Sequence, residues 1–335
     1  MVSLERGHTV RGRGIGKLAI FATLTLIAWV VASAADYPTK AVTIVVPSPP
    51  GGSADIQARL ISKGLAERLG KPVVIDHRPG AGGRVATSTA ARATPDGHTL
   101  LYGGISTLVL EPLLHTNVGY DANRDFAPIT VISEMPLVLL ASPSLGVRNV
   151  ADLLALARRK PGQLTYASFG VGSLAHLAGE MLKTSEKVNL IHVPYKGGAP
   201  AVIDLIAGHV STAFVTPLAA MGNIRAGNVT ALAVTGSNRL PALPNVPTLV
   251  ESGVVGFKLE LWTAIMVPAK TPPKIAGRLN TEIVAVLKSP DVTRSVEDQG
   301  GLVVASSPSE VSLRMKSDSD LLSKLVQAVN LEIQE

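Results

Sequence analysis

The residues best suited to chemistry in this chain lie in a turn rich in glycine and proline. The segment Val42–Asp55 (VTIVVPSPPGGSAD) joins an apolar strand pattern directly to a helix pattern. Gly51 and Gly52 lack a Cβ, so the backbone can turn sharply and a ligand can approach the peptide plane. Ser53 is predicted to cap the helix, whose free N–H groups would attract a carboxylate or a phosphate. The alternatives are a purely geometric turn and, for Asp55, capping of its own helix rather than ligand contact; capping is favoured for Asp55.

A second turn of similar composition is Ala167–His176 (ASFGVGSLAH). Gly170 and Gly172 permit a close approach of the backbone. Ser173, at the predicted start of a helix, offers a hydroxyl group and backbone donors to an anion. His176 lies one turn into that helix, where it either packs in a half-buried position, which is favoured, or contacts a ligand.

The third turn is His192–Gly198 (HVPYKGG). Tyr195 presents an aromatic face with a hydroxyl group, and Lys196 is a cation beside two glycines. The alternatives are a core position for Tyr195 and a solvated surface position for Lys196. All three turns follow predicted strands, and ligands of open α/β sheets bind beyond the carboxyl ends of the strands. We therefore expect the three turns to form one ligand site.

The sequence lacks the common signatures of catalysis. It contains no GxSxG, no HExxH and no complete phosphate-binding loop. Ser173 and His176 are close in sequence, but a catalytic triad also needs a third residue that orients the base and an oxyanion hole. Cysteine is absent, which excludes thiolate metal sites and cysteine nucleophiles. We expect no catalytic residues, no metal and no cofactor.

The first 34 residues have the pattern of a secretory signal peptide. Four basic residues precede the apolar run Leu18–Val31, and Ala32-Ser33-Ala34 supplies the small residues of a cleavage site. We expect cleavage after about Ala34; the alternative is a retained membrane anchor. Without cysteine there is no acceptor for a lipid anchor, so the exported protein should be free in solution. Half of the formal net charge of +6 lies in this leader, and the mild remainder does not indicate nucleic-acid binding.

Strand and helix patterns alternate along the rest of the chain, which predicts an α/β fold with parallel sheets. The apolar run Ile129–Ala141, interrupted by Pro136, is predicted to leave a first lobe and enter a second. The proline-rich segment Leu240–Pro247 is predicted to be an extended, stiff linker, and Phe257–Val267 a returning strand. The predicted lobes are 36–135 with 256–335, and 136–255. Two crossings give a hinge, and hinged lobes bind ligand between them.

Taken together, these segments resemble the Bug family, the TctC-like extracytoplasmic solute receptors of tripartite tricarboxylate transporters. The matching segments follow the family order over nearly the whole mature chain and include YPTKAVTIVVPSPPGGSADIQAR, GKPVVIDHRPGAGG, TPDGHTLLYG, LTYASFGVGSLAHLAGE, HVPYKGGAPAVIDLIAGHV and RAGNVTALAVTGSNRLPALPNVPT. The resemblance implies a two-lobed periplasmic binding protein with a cleft that closes on its ligand.

The resemblance also implies which residues contact the ligand. One ligand carboxylate would be held through backbone groups and ordered water by the first turn, and the other end of the ligand by the second and third turns. The implied residues are Pro47, Gly51, Gly52, Ser53, Ala54 and Asp55 in the first turn, Ser168, Gly172, Ser173 and His176 in the second, Tyr195, Lys196 and Gly197 in the third, and Thr216.

One departure from the family pattern concerns Val215. Many members carry Phe-Asp-Asn where this chain has Phe214, Val215 and Thr216. Without the acidic residue, we expect a weaker preference for amino acids and tolerance of apolar or aromatic acids.

The leading hypothesis is therefore a monomeric periplasmic receptor that captures a small carboxylate, such as a di- or tricarboxylate, and presents it to a membrane permease. One alternative is a sensory protein that signals to a histidine kinase. The other is an exported enzyme that acts on organic acids, which the absence of an acid/base pair disfavours.

Overall fold

The structure is a computed structural model that describes residues 37–328 of the 335-residue chain. The chain divides between Thr39 and Lys40 into two units, and every element discussed below belongs to the second unit. The predicted signal peptide lies outside the described residues, as does the end of the predicted last helix beyond residue 328. None of the helices between residues 37 and 328 combines the length and the apolar character that a membrane crossing requires.

Within the described residues, eleven strands form two sheets. The strands are β1 (Val42–Val46), β2 (Val73–His77), β3 (Thr99–Gly104), β4 (Phe126–Pro136), β5 (Val138–Ala141), β6 (Leu164–Ser168), β7 (Leu190–Pro194), β8 (Thr212–Val215), β9 (Thr230–Val234), β10 (Glu260–Pro268) and β11 (Leu302–Val303). The first sheet has the order β2-β1-β3-β10-β4-β11, and the second has the order β7-β6-β8-β5-β9. We refer to each sheet with its helices as the first and the second lobe.

The same part of the chain contains ten α-helices. They are α1 (Ser53–Leu69), α2 (Arg84–Ala91), α3 (Glu111–Leu114), α4 (Val150–Arg159), α5 (Leu174–Glu186), α6 (Gly198–Ala207), α7 (Pro217–Arg225), α8 (Pro273–Leu287), α9 (Pro290–Asp298) and α10 (Pro308–Ala328). The α/β fold predicted from the alternating pattern is thereby confirmed, but the prediction of parallel sheets was wrong. Both sheets are mixed, because the strands beside the two crossings run against their neighbours: β10 pairs antiparallel with β3 and β4, and β5 with β8 and β9. Helices α8 and α10 pack on β4, so the C-terminal part of the chain returns to the first lobe.

Two crossings connect the lobes, as predicted. Pro136 ends β4 in the first sheet, and β5 begins in the second sheet after a single intervening residue, Leu137. The chain returns from β9 to β10 through residues 235–259. Thr235 joins the two crossings, because its hydroxyl group accepts the N–H of Leu137 at 2.8 Å and donates to the carbonyl of Leu259. The residue boundaries of the two lobes stay a prediction.

Two local predictions were wrong. The N-cap of α1 is Gly52, and Ser53 is the first helical residue. The side chain that accepts a backbone N–H here is Asp55, whose carboxylate bonds to the amide of Gly51 in the preceding turn. The segment Leu240–Pro247 is not extended: it folds into turns that bury Leu240, Leu243 and Val246 in the core of the second lobe. Burial of these three apolar side chains outweighs the extended preference of the prolines.

Helix α5 packs so closely on the second sheet that only glycine fits at one position. A Cβ at Gly179 would lie 2.0 Å from the ring of the buried Tyr166, whereas a Cβ at Gly277 on α8 would meet nothing within 4 Å.

We expect Gly179→Ala to lower the free energy of unfolding by about 1–3 kcal/mol through overpacking. Gly277→Ala is the matched control and should raise it by up to about 1 kcal/mol through helix propensity. Equal changes in the free energy of unfolding of the two variants, measured in urea, would contradict this packing.

Candidate functional site

The predicted turns lie at the carboxyl ends of two groups of parallel strands. In the first lobe, β1 pairs in parallel with both β2 and β3, so the first turn lies at their common edge. In the second lobe, β6 pairs in parallel with both β7 and β8. The second turn, the third turn and Thr216 therefore share one edge of that sheet, where Tyr195 N–H donates to the Ser168 carbonyl at 3.0 Å.

A cavity of about 280 Å³ lies between these edges and is lined from both lobes. Four of the predicted site residues line it: Pro47, Ser53 and Ala54 from the first lobe and Thr216 from the second. The other predicted residues of the first turn, Gly51, Gly52 and Asp55, are not among its lining residues, and neither are those of the second and third turns. The role of all these residues in ligand binding stays a prediction.

The cavity wall is uncharged. Its sixteen described lining residues include no Asp, Glu, Lys, Arg or His side chain. The first N–H groups of a helix have no partner within the helix, and this end of α1 meets the cavity at Ser53 and Ala54. An anion in the cavity could therefore be stabilised by these amides, by the helix dipole and by hydroxyl groups.

The floor of the cavity is polar, which the sequence pattern did not predict. Gln57 Oε1 accepts from the Tyr102 hydroxyl at 2.8 Å and from Ser133 Oγ at 3.2 Å, and Ser133 Oγ lies 3.1 Å from Thr263 Oγ1. Burial raises the pKa of Tyr102, so its hydroxyl stays protonated and donates. The floor is thus a neutral hydrogen-bond network. Its signal in the sequence was weak: Ser133 and Thr263 are polar residues within apolar strands, and Gln57 lies one turn after Ser53.

The buried carboxylate of Asp55 stabilises the first turn. Its Oδ2 accepts the Gly51 N–H at 2.8 Å, its Oδ1 lies 2.9 Å from Arg59 Nε, and His77 Nε2 lies 3.0 Å from the same Oδ1. The Gly51 hydrogen bond and then Arg59 hold the pKa of Asp55 below its usual value. His77 Nδ1 also lies 2.9 Å from the Ser48 carbonyl. These contacts fix the turn in the conformation that presents the end of α1 to the cavity.

The second turn is closed by its own side chains. Ser173 caps α5, accepting the His176 N–H at 3.3 Å, and its hydroxyl donates to the Gly170 carbonyl at 2.6 Å. The Gly172 N–H donates to His176 Nδ1 at 3.2 Å. Ser173 is therefore at the helix start, as predicted, and the His176 side chain is buried against the turn.

A stack of three aromatic rings supports the second and third turns. His176 and His192 lie face to face with centroids 3.8 Å apart, and Tyr166 stacks on His192 at 4.9 Å. Ser168 Oγ lies 2.8 Å from His192 Nε2. Burial, with a smaller contribution from His176, lowers the pKa of His192 to about 4, and burial also lowers the pKa of His176. Both imidazoles are neutral at neutral pH.

In the third turn, the Tyr195 hydroxyl donates to Asp204 at 2.7 Å, and desolvation with this carboxylate raises the pKa of Tyr195 to about 12. Lys196 is exposed, which is the surface alternative considered for it. Gly197 has a φ of +129°, a conformation that favours glycine, and is the N-cap of α6.

A cavity between two α/β lobes that are joined by two hinge crossings is the architecture of a solute-binding receptor. The model of the family described as "Tripartite tricarboxylate transporter family receptor" matches residues 57–331. The chain belongs to this family of periplasmic solute-binding proteins, and the resemblance noted from the sequence is confirmed.

Three similar proteins illustrate the relationship. Protein BugT of Bordetella pertussis is 37% identical over 281 residues, which cover 83% of this chain and 86% of BugT. The structure "R. palustris Rpa4515 with adipate" is 35% identical with a TM-score of 0.75, covering 88% of this chain and 99% of that one. MatC from Rhodopseudomonas palustris with bound malate is 32% identical with a TM-score of 0.71, covering 87% and 100%.

The histidine stack predicts a loss of stability in acid. A histidine whose folded-state pKa is lowered resists protonation, while the unfolded chain binds its proton near pH 6.5. The stability present above about pH 6.5 should therefore be lost as the pH falls towards about 4. We expect the wild type to lose about 1–2 kcal/mol more than His192→Gln between pH 7.5 and pH 4.5 in urea unfolding. A His192→Gln variant with the same pH profile as the wild type would contradict this.

Proposed function

We propose that this protein captures a small carboxylate in the cavity and delivers it to the permease of a tripartite tricarboxylate transporter. The observation that carries the proposal is the uncharged cavity between the lobes, into which the first turn of α1 directs free amides. The bound adipate and malate of the two similar structures support the carboxylate class. Membership of the receptor family supports the permease as partner.

In this proposal, one carboxylate binds at the amides of Ser53 and Ala54. Thr216 reaches the same cavity from the second lobe. Closure of the hinge then brings the second and third turns to the far end of the ligand, where Ser168, Gly172, Ser173, His176, Tyr195, Lys196 and Gly197 contribute donors and walls. Expulsion of water strengthens each of these hydrogen bonds, because the local dielectric constant falls.

The protein binds its ligand without transforming it, and it acts as a monomer with no metal or cofactor. The lobes comprise 36–135 with 256–335, and 136–255. The first 34 residues direct export to the periplasm and are removed, which leaves a protein free in solution.

The direct test is ligand-dependent stabilisation of the mature protein purified from the periplasm. A ligand that binds only the folded state at 100 times its Kd stabilises it by about 2.7 kcal/mol. We expect a panel of organic acids that includes adipate, succinate and malate to contain at least one that raises Tm by several degrees. Adipamide, the neutral diamide of adipate, is the control and should leave Tm unchanged. A panel in which no carboxylate raises Tm would contradict the proposal.

The cavity also predicts discrimination against amino acids. Among the described lining residues there is no Asp or Glu, so a ligand ammonium group would be desolvated without a counter-charge. Val215, which stands where many family members carry aspartate, lies in the apolar core of the second lobe and supplies no charge either. We expect calorimetry to show succinate and malate binding at least about tenfold more tightly than aspartate, a difference of about 1.4 kcal/mol. Tight binding of aspartate or glutamate, with none of the plain acids, would show that an acidic group reaches the ligand after all.

A further inference from the structure

The indole ring that forms part of the cavity wall is held from behind by the last helix. Trp262 on β10 lines the cavity and is only 1% exposed. Its Nε1–H donates to Asp318 Oδ2 at 2.6 Å. Asp318 belongs to α10 and is not a lining residue. The orientation of this part of the wall therefore depends on a carboxylate outside the cavity.

Arg314, one turn earlier on α10, connects that carboxylate to both crossing strands. Its Nε lies 3.1 Å from Asp318 Oδ2, and its two terminal nitrogens donate to Glu134 at 3.2 Å and to Glu260 at 2.9 Å. Glu134 lies on β4, directly opposite Trp262 in the sheet. One guanidinium group thus holds three carboxylates, and its planar fork is suited to this because its donors point in fixed directions.

The two glutamates stand where the chain changes lobes. Glu134 lies two residues before Pro136, the end of the first crossing strand, and Glu260 begins β10 directly after the second crossing. Glu260 also accepts the backbone N–H of Ser237 at 3.2 Å, in the segment that leaves the second lobe. The Glu260 side chain is only 4% exposed, so its charge is poorly screened by water.

We propose that Arg314 and Asp318 are positioning residues that couple Trp262 in the cavity wall to the two hinge crossings. Neither residue touches the ligand. Together they hold the indole in one orientation and limit the range of hinge conformations that the ligand-free protein samples. Loss of either group releases the wall and the crossings together.

The chain offers a matched pair of variants for the test. Asp318→Asn removes the charge that Arg314 and the indole share, with little change in volume. Asp320→Asn is the control: Lys316 and Asp320 form an ion pair with the same spacing on the same helix, at 2.9 Å, but both side chains are more than half exposed. Arg314→Lys keeps the positive charge and loses the fork, and it provides a second variant if one of them folds poorly.

Two readouts need no ligand. Because the chain has no cysteine, spin labels at Lys63→Cys on α1 and Arg159→Cys on α4 report the distance between the lobes. Trp29 lies in the predicted leader, so Trp262 is the single tryptophan of the mature protein. The intact mass of the purified protein is measured first, to verify that the leader has been removed. We expect Asp318→Asn and Arg314→Lys to broaden the distance distribution and to shift the Trp262 emission maximum by several nanometres, while Asp320→Asn changes neither.

The third readout is the Kd of adipate, and only this part rests on the proposed function. We expect both network variants to weaken adipate binding by at least about fivefold, against less than twofold for Asp320→Asn. If adipate does not bind the wild type, the Kd is measured instead with the carboxylate of the panel that raises Tm. If no carboxylate of the panel binds, the proposed function is contradicted, and the distances and the fluorescence still decide the inference. Distance distributions and emission spectra that match those of Asp320→Asn would overturn it, whatever happens to Tm.

Discussion

The proposed binding of an anion depends on one arrangement: the first N–H groups of α1, which have no partner within the helix, face a cavity whose described lining residues carry no charge. An exposed helix terminus stabilises an anion by about 0.3–1 kcal/mol, and a partly buried one by up to about 2 kcal/mol. That gain in free energy is modest, and motion of the turn would reduce it further. The turn must therefore be rigid. Asp55 supplies the rigidity, since it ties Gly51, Arg59 and His77 to one carboxylate. The turn is therefore ordered before any ligand arrives.

The second requirement is a cavity that residues of both lobes line. The first lobe contributes most of the wall, and Thr216 brings the second lobe to it. Thr235 bonds to both crossing segments, and Arg314 bonds to carboxylates beside them. The floor network of Gln57 and Tyr102 is neutral, so it can contact a ligand without adding a charge that would need a partner. Hydrogen bonds thus link the two crossings to each other and hold the residues of the floor together.

The sequence predicted the parts of this arrangement that depend on local chemistry. The glycine and proline turn after β1, the position of α1 and the change of sheet at Pro136 all follow from short-range preferences. Ser133, Thr263 and Trp262 were missed because they meet only through the antiparallel pairing of β10 with β3 and β4, a contact between distant segments. The prediction of an extended linker at Leu240–Pro247 was wrong for a related reason, because the burial of this segment depends on a core that the local pattern does not reveal. Helix α7 was missed although Pro217 at its first position is a typical start signal.

The role of the α1 amides in anion binding can be measured from the amide resonances of ¹⁵N-labelled mature protein during titration with a carboxylate that stabilises it. We expect the amides of Ser53 and Ala54 to show the largest downfield shifts in the first lobe, because they acquire a charged acceptor, and Thr216 to shift with them. Shifts confined to residues remote from the start of α1, with Ser53 and Ala54 unchanged at saturation, would contradict it.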